Sequence, residues 1–203
     1  MSLTPQELAG LLVATSFAAG LNVYATLATL GILDRLHLVP LPATLHLVSS
    51  WWVIGISAIM FGVEFFADKV PAFDLVWNAL HTFVRIPVAA LLAYRATAQL
   101  SPANQLLAAS AGALIALAAH GGKTAIRAAV TPSPEPISNI GLSLGEDSLA
   151  IFLTWFATQH PLAAAAIVAV LLLILLVLVR WIVRALRRLF RGAEKVLEPQ
   201  RAA

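Results

Sequence analysis

The chain has 203 residues, 60% of them hydrophobic and only 11% charged, with a mean hydropathy of +0.88. A soluble domain carries about 25% charged residues, so this composition excludes a water-coated globule and requires that most of the outer surface face lipid. The formal net charge of +3 is a tail property, because seven of the 13 Lys and Arg are Arg180, Arg184, Arg187, Arg188, Arg191, Lys195 and Arg201; no nucleic-acid groove is read from it.

Cysteine is absent, which excludes disulfides, thiolate metal sites and cysteine nucleophiles. Met1 to Glu7 holds no Lys or Arg, so the positive region of a cleavable leader is missing and the first apolar stretch is expected to stay as a span.

Thr4-Pro5-Gln6-Glu7 reads as a capping box with proline at the first helical position. The apolar run that follows predicts one span to about Leu33, ended by Asp34 and Arg35. Within it Asn22, Thr26 and Thr29 share a face, and Ser16 and Gly20 form a small-xxx-small pair; packing between helices is the preferred reading of both. Pro40 and Pro42 mark an extended connection.

A second span is predicted from Leu47 to Phe66, with Trp51 and Trp52 as interfacial aromatics. Val70-Pro71 breaks it. Asp74 is read as the N-cap of a third helix that ends near Thr97 and is kinked at Pro87. A fourth helix opens at Ser101-Pro102 and runs to about Val130.

Residues 131–142 form a Pro, Ser and Gly stretch, read as an ordered loop or a re-entrant segment. Ser143-Leu144-Gly145-Glu146 matches a capping box and predicts the start of a fifth helix, short for a full span. The sixth, from Leu162 to Arg180 and beyond, is almost purely aliphatic. His37, His46 and His160 fall in connections.

The expected fold is therefore all-α: a polytopic transmembrane bundle of about six hydrophobic helices with two polar helix-turn-helix hairpins. One transmembrane domain is expected over 1–190, with a basic cytoplasmic tail over 191–203. Residues 47–98 and 105–158 read as a weak internal repeat in which Pro71 and Pro136 correspond, as in transporters. The basic tail puts the C-terminus in the cytoplasm. Arg180, Arg184, Arg187, Arg188 and Arg191 line one helical side and suit anionic lipid. Six helices make a thin wall for a private pore, which makes a homodimer a natural expectation.

Chemistry concentrates in three places. Asp74, Asn78, His81 and Arg85 recur at i, i+4, i+7 and i+11, one helical stripe that lipid would penalise; it is a polar site or substrate path, or a helix end wetted by water. Glu64 and Asp68 lie one turn apart, and Glu64, among Val63, Phe65 and Phe66, needs a partner such as Lys69, Arg85 or Lys123 or else a proton; a structural ion pair holding two helices together is the alternative to a site. His120, Lys123 and Arg127 share a stripe that could hold an anionic head group. Asn139, Glu146 and Asp147 add acceptors across the loop, although acidic residues at a helix N-terminus also explain the last two. Ligand types for metal are present, but no HExxH, ExxH or Cys pairing is, so no metal site and no cofactor is assigned. Serine-hydrolase elbows, phosphate-binding loops, dinucleotide fingerprints and kinase signatures are also missing.

The strings GLNVYATLATLG (Gly20 to Gly31), EFFADKVPAFDLVWNALHTFVRIP (Glu64 to Pro87) and SPEPISNIGLSLGED (Ser133 to Asp147) resemble the bacterial domain-of-unknown-function 4126 family of small multi-spanning membrane proteins. The resemblance covers nearly the whole chain apart from the basic tail. It implies a membrane location, which is expected to be the bacterial inner membrane, and supplies no established activity, substrate or catalytic residue. Three readings stay open: a small transporter or channel-like protein for a small polar or anionic solute or a lipid head group, a membrane-embedded enzyme acting on lipid or a lipid-linked substrate, and a scaffold recruiting partners through its tail.

Overall fold

A computed structural model describes the backbone of residues 3–39, 41–130 and 136–201, and within these the side chains other than those of residues 71, 72, 74, 75, 130, 136–139, 186 and 188–201. Among the described residues every regular element is a helix and none is a strand: α1 (Pro5–Leu21), α2 (Val23–Arg35), a short 3₁₀ helix (Ala43–Ser49), α3 (Trp51–Ala67), α4 (Pro71–Ala96), α5 (Pro102–Val130), α6 (Pro136–Gln159) and α7 (Pro161–Arg201). Among the described residues four helical segments are long and apolar enough to cross a membrane: Val76–Ala96, Pro102–Ala129, Ile140–Gln159 and Pro161–Ala185. The 3₁₀ helix and α3, bent by 56° at their junction, make a fifth if taken as one span.

α1 starts as its sequence dictates. Thr4 accepts from the Glu7 backbone N–H, and the Glu7 carboxylate accepts from the Thr4 N–H at 2.8 Å. The helix is apolar on every side and becomes the buried centre of the bundle, touching α4, α5, α6 and α7. Its Ser16-Phe17-Ala18-Ala19-Gly20 run has little bulk, so neighbouring backbones close in. A Cβ placed on Gly20 would lie 2.5 Å from the Ala116 carbonyl oxygen of α5. Gly112 of α5 returns the fit, its missing Cβ facing Ala93 and the Ser16 hydroxyl. We therefore expect Gly20→Val to separate α1 from α5 and lower stability by about 1–3 kcal/mol, read as a lower melting temperature in detergent; an unchanged melting temperature would show that this contact is slack.

The single first span expected to Leu33 is instead two helices. Asn22 leaves the helical conformation (φ −149°, ψ 103°) and ends α1 while capping α2, its side-chain oxygen accepting from the Ala25 N–H at 2.9 Å. Hydropathy could not show this break, because both flanks are apolar. Thr26 donates to the Asn22 carbonyl at 2.9 Å, so its hydroxyl supports the break rather than gluing two helices.

Two further starts differ from expectation. α4 begins at Pro71 with Val70 before it, which moves Asp74 inside the helix. α6 begins at Pro136, so Ser143 and Glu146 are interior and form no capping box; the early proline suits the first helical position and adds two turns upstream. The extra length lets the fifth predicted segment reach a spanning 20 residues. α4 continues through Pro87. α7 is the most lipid-like segment, with Leu173, Val177 and Trp181 exposed.

Asp34 at the end of α2, outside these candidate spans, ties the following connection back. It accepts from Ser49 Oγ, from His46 Nδ1 at 3.0 Å and from the Leu41 N–H at 3.4 Å. Burial raises the Asp34 carboxyl, but the bonds from Ser49, His46 and Leu41 outweigh it and hold the group below its usual 3.8. Its contribution is thus complete above the ordinary carboxylate range and disappears as pH falls through the lowered value. Asp34→Ala is expected to loosen the 3₁₀ segment at neutral pH as strong acid does in the wild type. Faster amide exchange over residues 41–50 would record it; unchanged exchange would show that the clamp is dispensable.

Candidate functional site

The polar stripes converge at the end of α1. From α4, Asn78, His81 and Arg85 point inward and are buried; from α5 come His120, Lys123 and Arg127; from the end of α3 come Glu64 and Asp68; from α6 come Ser143, Glu146 and Asp147. The backbone at Asp74 and Asn139 is helical, but both side chains lie outside the described residues.

Arg85 and Glu64, both fully buried, form an ion pair through Nη2 and Oε1. Arg85 Nη1 also donates to His120 Nδ1 at 2.8 Å. A guanidinium cannot accept, so His120 Nδ1 is the acceptor and its proton sits on Nε2, 2.8 Å from Thr82 Oγ1. Thr82 in turn donates to the Asn78 carbonyl at 3.2 Å. The result is one polarised chain from the Glu64 carboxylate through Arg85 and His120 to Thr82, in which His120 is neutral.

Lys123 is the hub of a second set. Its Nζ lies 3.3 Å from Asp68 Oδ2, 3.3 Å from Glu146 Oε2 and 3.6 Å from Glu64 Oε1. It also donates to the Leu21 carbonyl at 3.3 Å, one of the groups that a helix end leaves without an intrahelical partner. Arg127 binds Asp68 Oδ2 at 2.8 Å and Glu146 Oε2 at 2.5 Å. Ser143 Oγ adds a bond to Asp68 Oδ2 at 3.4 Å. The serine read as a helix cap therefore serves the charge cluster.

His81 stands slightly apart. It stacks on Trp77 with centroids 4.2 Å apart, contacts the Trp77 carbonyl through Nδ1 at 2.8 Å and meets the Tyr24 hydroxyl through Nε2 at 2.9 Å. Of the predicted residues, Lys69 stays outside the cluster. Its ammonium sits 3.0 Å from the centre of the Phe65 ring and donates to the Phe65 carbonyl at 2.7 Å; among the partners foreseen for Glu64, Arg85 and Lys123 take the place instead. Sequence reasoning missed Asn22, Tyr24 and Thr82 as members. Asn22 Nδ2 donates to Asp147 Oδ1 at 2.9 Å, and the one signal for it was a polar amide in mid-run.

Beside the cluster, α1, α5, α6 and α7 enclose a crevice of about 490 Å³. Its walls are apolar, including Phe17, Leu21, Leu149, Leu171 and Leu175, and Lys123 and Glu146 reach it from the cluster. Among the described residues no group of three or more His, Asp or Glu side chains is arranged to hold a metal.

Apolar helices of spanning length packed round a broken central helix, with ionisable groups turned inward, define a multi-pass helical membrane protein. The chain belongs to the family described as Domain of unknown function (DUF4126), whose model matches residues 9–181. No curated protein and no solved structure matches it significantly.

Proposed function

We propose that the chain is a small transporter or channel-like protein for a small polar or anionic solute or a lipid head group. The observation that carries this reading is the break at Asn22, placed in the middle of the bundle against the seven Asp, Glu, Lys and Arg side chains of the cluster, from α3, α4, α5 and α6. Charges at membrane depth are costly and mark ion or solute paths, and interrupted helices whose ends face such groups are how transporters build binding sites. The network described is a closed state: Arg85, Lys123 and Arg127 are held by the protein's own carboxylates, which a solute would have to displace.

Proteoliposomes offered inorganic phosphate, glycerol phosphate or short carboxylates test this. Uptake above that of empty vesicles, abolished by Glu64→Gln and by Arg85→Ala, is the expected result. No flux of any probe, or flux indifferent to both substitutions, would contradict it. The apolar crevice ending at Lys123 and Glu146 supports a second reading, an enzyme that acts on a lipid whose chain lies between α5, α6 and α7. Turnover of a lipid phosphate by the purified protein, without net flux, would favour it. On the same footing we propose a bacterial inner-membrane setting with the C-terminus cytoplasmic and the tail arginines on anionic lipid.

A further inference from the structure

We propose that Asp147 holds a bound proton in this closed state, making the break at Asn22 a proton-binding site. The inference depends on the transport reading for its purpose and not for its chemistry.

Asp147 is 4% exposed. Its one hydrogen bond is from Asn22 Nδ2 to Oδ1 at 2.9 Å, while Oδ2 is buried without a protein partner. Every other acidic side chain of the cluster is differently placed: Glu64 pairs with Arg85, and Asp68 and Glu146 pair with Lys123 and Arg127. Asp147 has no cation within ion-pair distance among the described residues.

The charged groups facing it come from three elements. Lys123 of α5 is nearest in kind but is engaged by three other carboxylates, and Glu64 and Asp68 of α3 are of like sign. Glu146 is on its own helix. The α1–α2 junction brings Asn22 and the phenol of Tyr24, and the described part of α7 has no charged residue before Arg180.

Counting decides the protonation. Among described side chains the cluster holds the carboxyls of Glu64, Asp68, Glu146 and Asp147 against the cations Arg85, Lys123 and Arg127; of the two histidines, His120 accepts from Arg85 and is neutral, and His81 faces the Tyr24 hydroxyl and the Trp77 carbonyl, with no carboxylate as partner. Four anions against three cations leave one uncompensated negative charge in a low-dielectric interior, and such a group takes up a proton rather than stay charged. Protonating Asp147, the member without a cation, balances the cluster at three against three. Release then requires water or a new counter-charge, which the closed bundle denies. Opening at the break supplies it, and that ties proton release to the conformational change a proton-coupled carrier uses.

Infrared spectra of the purified chain in lipid vesicles at neutral pH test this directly, through the carbonyl stretch of a protonated carboxylic acid. The expected result is one such band in the wild type, lost in Asp147→Asn and kept in Glu7→Gln, an acid-to-amide change outside the cluster that leaves its charge count unaltered. Because a neutral amide replaces a neutral acid, Asp147→Asn should also melt close to the wild type. Absence of the band in the wild type, its survival in Asp147→Asn, or collapse of that variant would overturn the proposal. So would stabilisation of the wild type by sodium ions that Asp147→Asn abolishes, since the extra positive charge would then be a metal cation. The band is read without any flux. A band with no transport leaves the proton site and removes the carrier, and transport with no band does the reverse.

Discussion

Replacing Arg85 with alanine is expected to lower stability by about 3–5 kcal/mol, the effect of leaving one member of a buried ion pair behind. Glu64 is fully buried and its Oε2 already has no partner, so Oε1 depends on Arg85 with only the more distant Lys123 to help. His120 would lose its donor at Nδ1 in the same step. Melting in detergent, followed by helical circular dichroism, measures the loss. The double variant Glu64→Gln with Arg85→Met should recover most of it, because neutral groups of similar shape remove both charges together. A single variant as stable as the wild type, or a double variant no better than the single, would show that the pair does not hold α3 to α4.

Lys123→Met is expected to be at least as severe, again about 3–5 kcal/mol or more. One ammonium serves Glu64, Asp68 and Glu146 together and also the Leu21 carbonyl at the end of α1. Its removal leaves three carboxylates facing one another across α3 and α6, with Arg127 alone to hold Asp68 and Glu146. Lys123→Arg is not expected to rescue it. A planar fork presents its donors in fixed directions, whereas here a compact ammonium meets acceptors from three elements. A melting temperature for Lys123→Met within error of the wild type would remove Lys123 from the centre of the cluster.

What the sequence discloses depends on which signal each residue sends. Helical spacing was enough to place Asn78, His81 and Arg85 on one inward stripe, and His120, Lys123 and Arg127 on another, because a charged stripe has no place against lipid. The same reasoning identified Arg85 and Lys123 among partners for Glu64. It failed for Lys69, since a cation next to Phe65 can satisfy itself on a ring and a carbonyl within its own turn. Spacing on one helix does not tell whether a side chain looks inward or finds a local solution.

Helix ends were less legible. Ser143 and Glu146 match the capping pattern, but that pattern is two residues in register and Pro136 upstream is an equally good start. The structure resolves the choice by placing Ser143 on Asp68 and Glu146 on Arg127. The break at Asn22 was hidden for the opposite reason. An asparagine in an apolar run is consistent with interhelical packing, and Asn22 does make such a contact, to Asp147 on α6; only its extended backbone and the bond it accepts from the Ala25 N–H show that it also caps α2 and opens the helix. Hydropathy alone therefore gives a continuous first span, and the expectation of about six spans includes it.

On the transport reading the buried cluster at the helix break works on a solute and does more than hold helices together. Flux through proteoliposomes containing the Glu64→Gln, Arg85→Met double variant tests it most directly, since that variant is expected to keep the fold while removing the pair. The expected result is a protein that melts near the wild type and carries none of the phosphate or carboxylate probes that the wild type carries. Wild-type flux in the folded double variant would contradict it and leave the Glu64–Arg85 pair a purely structural tie.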